Sequence, residues 1–315
     1  MYNGIIVIDK EPGYTSSDVV SKLRGILKMK KIGHTGTLDP EATGVLPVCL
    51  GSATRLTEMI TDHEKEYTAV LRLGVITDTQ DMTGTVLEEA PAEQVLAVSR
   101  QQFLQAAGQL TGEILQVPPM YSAIRVGGQH LYELARKGQI VERAPRSVVI
   151  HELQTVSFAP PLATIRVRCS KGTYIRTLCE DLGKLLGTGA AMESLRRTRV
   201  GQFTLDDALT ISEVEKLVKE TGDGIGVHLI PVDRFFREAP ALCVKEASLL
   251  YLKNGNPMRW ENTDAGEQLR ELAAAAAGEK PFLLRMYDSA GNFHALYRYE
   301  KETGGLAVYK MFPQV

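Results

Sequence analysis

The sequence predicts an α+β fold with a small β-rich module at its C-terminal end. Three observations carry this reading. Strand-type and helix-type patterns mix irregularly, without the strand–helix–strand rhythm of a parallel α/β sheet. The 315 residues are 44% hydrophobic and 23% charged, enough for a large core and a soft prior of about two domains. Beyond a break near residues 238–240, short strand patterns dominate the remainder, and about 75 residues suffice for a small module.

Residues 4–9 (GIIVID) read as a buried strand, and Pro12 and Gly13 mark the loop after it. Ser16 or Ser17 is expected to cap a helix with Val19, Val20, Leu23, Ile26 and Leu27 on one face. A polar loop, KKIGHTGTLDPEATG, then leads into an apolar strand at 45–50. Residues 66–75 alternate as a strand, a second is expected around 84–87, and 92–110 read as one helix. Pro118-Pro119 opens an irregular stretch with Gly127-Gly128, a short helix near 131–136 and Gly138 as its C-cap. Strands recur at 148–156 and 164–169, and a helix spans 174–186, closing at Gly187. The pattern Ser212-x-x-Glu215 predicts a capping box for a helix running to about residue 219. Beyond the break come a short helix at 247–252 and an alanine run at 273–277, expected as an inserted helix or a loop. Strands at 282–287 and 293–299 flank the turn 288–292, and a last strand covers 306–312.

No apolar run approaches the roughly 20 residues that cross a bilayer. The start has no basic region and an apolar run of only four residues, so no signal peptide is expected. Cys49, Cys169, Cys179 and Cys243 are scattered without a C-x-x-C pair, and the six histidines show no H-x-x-x-H spacing. Neither a zinc site nor a disulfide framework is expected, and the compartment reads as cytoplasmic. The net charge of −2 argues at first against a nucleic-acid partner, yet residues 120–201 hold 13 basic and 6 acidic side chains. A block of +7 on a near-neutral chain points to a local surface for a polyanion.

Nucleotide-binding and hydrolase motifs fail: there is no G-x-x-x-x-G-K-[ST] and no G-x-S-x-G. Gly187-Thr188-Gly189 follows a helix, with Met192 where a third glycine belongs, and reads as a helix terminus. The sharpest local feature is Gly33-His34-Thr35-Gly36-Thr37-Leu38-Asp39-Pro40. Its ordinary reading is a turn before proline, but a carboxylate among small residues also suits approach to a bulky ligand. Glu41 is a weak second carboxylate, so single-carboxylate chemistry fits better than ordinary glycoside hydrolysis.

The run GHTGTLDPEATGVLPVCLGSATR resembles the signature loop of the TruB family of tRNA pseudouridine synthases. Asp9-Lys10 and Gly13 resemble that family's D-K-x-x-G start, with Glu11 and Pro12 departing from its usual D-K-P order. KEYTAVLRLG, VPPMYSAIRVGGQHLYELARKG, KGTYIRTLCEDLG and SLRRTRVG are similar to its tyrosine strand, its RNA-gripping thumb and its remaining active-site segments. The resemblance covers residues 4 to about 210 and, more loosely, a PUA-like end.

The resemblance implies a pseudouridine synthase fold with a mixed, mainly antiparallel central sheet. It divides the chain into a catalytic domain at 1–238, with a thumb-like insertion at about 118–150, and a PUA-like RNA-binding domain at 239–315. The implied reaction isomerises uridine 55 of the tRNA T-loop, needs no cofactor or metal, and starts by flipping the base out. Asp39 would be the nucleophile, acting at C1′, through a glycal, or at C6. Arg176 would hold Asp39 charged, and Tyr67 would stack on the uracil and share in removing the C5 proton. Tyr174 and Leu195 would wall the pocket, His34 would enter the space left by the base, and Lys10 would support the loop or touch RNA. Arg125, Arg136, Lys137, Arg143, Arg146, Lys171, Arg196, Arg197 and Arg199 would contact the RNA backbone. A tRNA T-arm is the expected partner of a monomer that needs no obligate protein partner and no membrane. Two rivals are a non-catalytic tRNA-binding or tRNA-folding protein on the same scaffold, and a hydrolytic RNA glycosidase with a second placed carboxylate.

Overall fold

A computed structural model describes residues 2–221, 224–276 and 281–313. The chain begins with β1 (Gly4–Lys10), α1 (Ser16–Leu27) and the short β2 (Ile32–His34). Thr15, rather than Ser16 or Ser17, caps α1. Its hydroxyl accepts from Asp18 N–H while its own N–H donates to the Asp18 carboxylate at 2.9 Å, a capping box that leaves Ser16 free to turn inward. Then come β3 (Thr43–Leu50), α2 (Thr57–Thr61), β4 (Lys65–Leu73) and the hairpin β5 (Val75–Thr77) with β6 (Val86–Glu89). The expected helix over 92–110 is two, α3 (Ala92–Leu96) and α4 (Arg100–Gln109), because Ser99 and Gln102 form a capping box that starts the second.

After β7 (Gly112–Gln116), segment 118–150 carries β8 (Arg125–Val126) paired with β9 (Gln129–His130), then α5 (Leu131–Arg136). The long strands β10 (Arg146–Ala159) and β11 (Leu162–Cys169) follow, and α6 (Ile175–Leu186) ends at Gly187 with a left-handed φ of 73°. Gly187-Thr188-Gly189 is therefore a helix terminus. β12 (Ala190–Val200), the short β13 (Phe203–Thr204) and β14 (Ala208–Leu209), and α7 (Ile211–Thr221) complete this part. The box of α7 is formed by Thr210 and Glu213 instead of Ser212 and Glu215, with Thr210 N–H donating to Glu213 at 2.7 Å.

Among the described residues the large sheet has the order β14-β1-β3-β12-β4-β11-β10-β7, with β2 and β13 joining β3 and β12. Only β1–β14 and β3–β12 are parallel, so the sheet is mixed and mainly antiparallel. Strict alternation along β4 puts Lys65, Tyr67, Ala69, Leu71 and Leu73 on the buried face. Leu178, Cys179 and Leu182 of α6 and Phe103 of α4 pack on that face. Elsewhere, α1 and α7 cover Ile6 and Ile8 of β1 and Leu46 and Val48 of β3.

The remaining chain builds a separate sheet from β15 (Ala241–Cys243), with α8 (Leu249–Asn254) and α9 (Glu267–Ala276), then β16 (Leu283–Tyr287), β17 (Phe293–Glu300) and β18 (Gly305–Met311). The alanine run is helical through Ala276, and Ala273 is buried in this module's core; Ala277 lies outside the described residues. The two sheets share a third core, in which Phe236, Phe293, Leu296 and Phe312 meet Ile5, Val7, Val45 and Cys49. No helix among the described residues is long and apolar enough to cross a membrane.

Candidate active site

The loop between β2 and β3 is pinned from both sides. Thr35 donates its N–H and its hydroxyl to Pro47 O, each at 3.1 Å, and Leu38 N–H donates to Ser16 Oγ at 2.9 Å. Leu38 is buried beneath the loop, and Ala42 N–H closes a turn onto Asp39 O at 3.1 Å. Gly13 N–H and the Lys10 ammonium both reach Pro40 O, at 3.0 and 2.8 Å. The Glu11-Pro12 departure thus still docks the first loop onto the second, with Gly13 at φ 81° making the turn.

Asp39 projects from this frame with its side chain 37% exposed, while the Arg176 side chain beside it is only 6% exposed. Arg176 grips the carboxylate with a fork: Nε stands 3.1 Å from Oδ2, and Nη2 donates to Oδ1 at 3.3 Å. The rest of the guanidinium is used as fully. Nη1 donates to Thr79 O at 3.0 Å and to Asp81 Oδ2 at 3.5 Å, and Nη2 donates to Tyr121 O at 2.7 Å. Asp81 is itself fixed, its Oδ1 accepting from Thr83 N–H at 3.0 Å and from the hydroxyls of Thr79 and Thr83. Burial raises the Asp39 carboxyl above its ordinary value; Arg176 opposes that rise and Asp81 adds to it.

Arg176 occupies the first turn of α6, and that helix start is held by a residue sequence reasoning missed. Buried Gln116, at the end of β7, accepts from Tyr174 N–H at 2.9 Å and donates to Tyr174 O at 3.1 Å. Asp81 was missed as well, although its run D-T-Q-D-M-T-G after a strand is dense in short polar side chains, a usable signal for a knotted loop. Tyr67 and Leu195, on neighbouring strands β4 and β12, pack with Leu38 and Ile175 into the wall behind Asp39. Burial raises the Tyr67 phenol, with Arg197 opposing, and it also raises the partly buried Tyr174 phenol.

Several expected RNA contacts are placed otherwise. The Lys10 side chain is buried and its ammonium donates to the carbonyls of Glu11, Tyr14 and Pro40, so it supports the loop instead of binding substrate. Burial pushes it down to about 8. Arg197 is 1% exposed and cannot reach an RNA backbone. Arg196 and Arg199 stand opposite Thr68 and Glu66, on the face of β4 away from Tyr67, and both are committed to carboxylates: Arg196 to Asp9 at 2.7 Å, Arg199 to Glu64 at 3.0 Å. Lys171 pairs with Asp62 at 2.7 Å. Lys171, Arg196 and Arg199 read as free cations in the sequence, but Asp62, Asp9 and Glu64 supply their counter-charges.

Arg125, Arg136, Lys137, Arg143 and Arg146 in segment 118–150 differ. None has a carboxylate within 4.0 Å among the described residues, and all but the half-buried Arg143 are exposed. Arg136 lies over the Tyr132 ring, and Tyr132 stacks on His130 at 5.1 Å. His34 is half-buried on β2, its Nδ1 accepting from Gly36 N–H at 3.4 Å; burial and then Arg197 keep it below its ordinary value, hence neutral near pH 7. Among the described residues no group of three His, Cys, Asp or Glu is close enough to hold a metal ion.

The Asp39 carboxylate is thus clamped by the buried Arg176, on a loop whose Leu38 packs in one cluster with Tyr67 and Leu195. Residues 24–175 match the family model for the TruB family pseudouridylate synthase N-terminal domain, and residues 176–237 match that for the tRNA pseudouridylate synthase B C-terminal domain. The chain belongs to the TruB family. It is 45% identical over 323 residues to tRNA pseudouridine synthase B of Lachnoclostridium phytofermentans, covering 98% of this chain and 99% of that one. It is 46% identical over 258 residues to the protein of the same name from Pseudomonas paraeruginosa, covering 82% and 84%. A crystal structure of a Cbf5-Nop10-Gar1 complex holds a similar chain, with a TM-score of 0.70 and 26% identity over 98% of this chain and 85% of that one. A structure of an H/ACA RNP bound to a substrate RNA containing 2′-deoxyuridine shares the fold, with a TM-score of 0.69 and 24% identity over 99% and 85%. As a TruB-family member the chain is a pseudouridine synthase, an isomerase.

Proposed function

We propose that this enzyme isomerises uridine 55 in the T-loop of tRNA, with Asp39 as the nucleophile. The observation that carries the reading is the Arg176 fork on Asp39 within a chain whose family models run from residue 24 to 237. The reaction breaks the N1–C1′ bond, turns the uracil and joins C5 to C1′. Each route open to Asp39, at C1′, through the glycal or at C6, needs an ionised carboxylate in a confined site. Arg176 supplies that charge balance, and Asp81 with the Thr79 and Tyr121 carbonyls holds Arg176 in register. Tyr67 stacks on the flipped uracil and shares in removing the C5 proton, while Leu195 and Tyr174 confine the base. His34, neutral and at the rim, enters the space the base leaves.

The division at residue 238 then separates a catalytic domain from a PUA-like RNA-binding domain. Segment 118–150 serves as the thumb, its five basic side chains gripping the T-arm. Asp81, the second carboxylate on Arg176, is bound up with Arg176, Thr79 and Thr83 and is not free to serve in hydrolysis. The test is a T-arm transcript tritiated at uracil C5. Tritium released to water by the wild type and lost in Asp39→Asn supports the assignment. Binding without release from the wild type would leave the non-catalytic tRNA-folding reading, and release of free uracil the hydrolytic one.

A further inference from the structure

We infer that Arg197, expected from its residue type to touch RNA, is the positioning residue that holds the Tyr67 phenol oxygen and ties it to the Asp39 loop. The inference rests on the isomerase reading above for its catalytic consequence, and on geometry alone for the contact.

Arg197 lies at the one place where three parts of the site converge. Along β12 it stands opposite Tyr67 of β4 on one side and Gly44 of β3 on the other. Gly44 has φ 104°, and a Cβ there would lie 2.1 Å from Arg197 O, so only glycine lets β12 approach this closely. From that position the buried guanidinium donates through Nε to Val45 O at 2.7 Å and through Nη2 to Gly36 O at 3.4 Å, and the buried Tyr67 side chain is its direct cross-strand neighbour on the same face of the sheet. At Gly36 a Cβ would stand 3.7 Å from Nη1, an ordinary contact, and it is the φ of 142° that favours glycine there.

Among the described residues no carboxylate pairs with Arg197. A buried cation without a counter-ion is expensive, and it persists where its donors are all used and its charge has work elsewhere. The charged and titratable groups facing Tyr67 are Arg197 from β12, Cys169 from β11 and Asp39 from the loop. Of these, only Arg197 favours the phenolate; the other two and burial oppose it.

The step this supports is the last one. Once C5 is joined to C1′, a water takes the Tyr67 phenol proton as it gives one to N1, and the C5 proton passes to the phenolate oxygen so formed. The C5–H electron pair restores C5=C6, and the N1=C6 pair moves to N1, which takes a proton from water. The C5 proton thus leaves Tyr67 as the neutral phenol it began as. Arg197 stabilises that oxygen's charge and fixes its place relative to Gly36, three residues before Asp39.

The experiment places 2,3,5-trifluorotyrosine, a more acidic phenol, at position 67 of the full-length protein, with and without Arg197→Lys. Two readouts are taken: 19F titration of the phenol without RNA, and single-turnover tritium release at saturating T-arm. Arg197→Lys with natural Tyr67 is expected to slow release by about 10- to 100-fold with T-arm affinity unchanged. The more acidic phenol should restore most of that loss, and in the 19F titration Arg197→Lys should move the midpoint to higher pH. An unchanged rate, or a loss that fluorination does not relieve together with an unmoved midpoint, overturns the inference. If the wild type releases no tritium, the isomerase reading falls, while the RNA-free titration still decides whether Arg197 addresses Tyr67. Should Arg197→Lys fail to fold, Tyr67→Phe keeps Arg197 in place. The Arg197 guanidinium 15N resonances must then shift, and unmoved resonances overturn the inference.

Discussion

The pocket around Arg176 and the segment 118–150 use the same side chain in opposite ways. Arg176 is almost fully buried, and two carboxylates and two carbonyls hold it in one orientation. Arg125, Arg136 and Arg146 stand in solvent without a carboxylate partner. Buried and saturated, an arginine sets geometry at about 3 Å; exposed and unpaired, it acts through charge over roughly a Debye length. The outer face of the sheet is a third case, where Arg196 and Arg199 are neutralised by Asp9 and Glu64 and do neither.

That contrast breaks if pocket substitutions alter salt dependence or if segment substitutions alter the saturated rate. The largest effect is expected from Asp39→Asn, which should cut single-turnover tritium release by about 10⁴-fold or more while leaving T-arm affinity within about threefold. Arg176→Met should follow, at about 10²- to 10³-fold, because it strands a carboxylate among buried groups. It also carries a pH signature. Activity needs the Asp39 carboxylate, so it persists above that group's pKa and is lost as pH falls through it. Burial already raises this acid limb above the group's ordinary value, and losing Arg176, which opposes the rise, should move it to still higher pH. A pH–rate profile that stays put would separate Arg176 from Asp39.

Asp81→Asn should cost about tenfold in rate, since it loosens the far side of the guanidinium without removing the fork on Asp39. The smallest effects sharpen the other half of the contrast. The double variant Arg143→Ala with Arg146→Ala should lower the salt slope of T-arm binding by about 2, with the saturated rate nearly unchanged. Arg196→Ala with Arg199→Ala should change that slope by less than about 0.5, because internal carboxylates already hold those cations. Equal slopes for the two doubles, measured by titration between low and moderate salt, would refute the division between thumb and sheet.

Much of the site was legible because its residues lie in contiguous runs. Asp39, Tyr67, Arg176 and Leu195 each sit in a stretch whose order is itself the signal, and β4, which bears Tyr67, alternates cleanly. What the sequence concealed was contact across the chain. Nothing local marks Asp81 or Gln116 as the supports of Arg176 and Tyr174, since each acts over a sequence separation of more than fifty residues. Three arginines within four positions of β12 look alike in the sequence, yet Arg197 points into the core while Arg196 and Arg199 point out. The register shift between Arg197 and Arg199 breaks simple alternation, and no residue type announces a bulge of that kind. The two misplaced helix caps have a simpler cause: Thr15 and Thr210 each stand just before the serine expected in that role, and the pairing with Asp18 or Glu213 decides between them.

The core shared by the two sheets has a mechanical consequence. Phe236, Phe293, Leu296 and Phe312 close over Ile5, Val7, Val45 and Cys49, and β3, which carries the last two, begins four residues after Asp39. Hydrophobic packing, and not the length or slackness of the chain near residue 240, therefore fixes the span from the Asp39 carboxylate to the C-terminal sheet. The C-terminal sheet works less like a hand on a tether than like the far end of a ruler, graduated at Asp39.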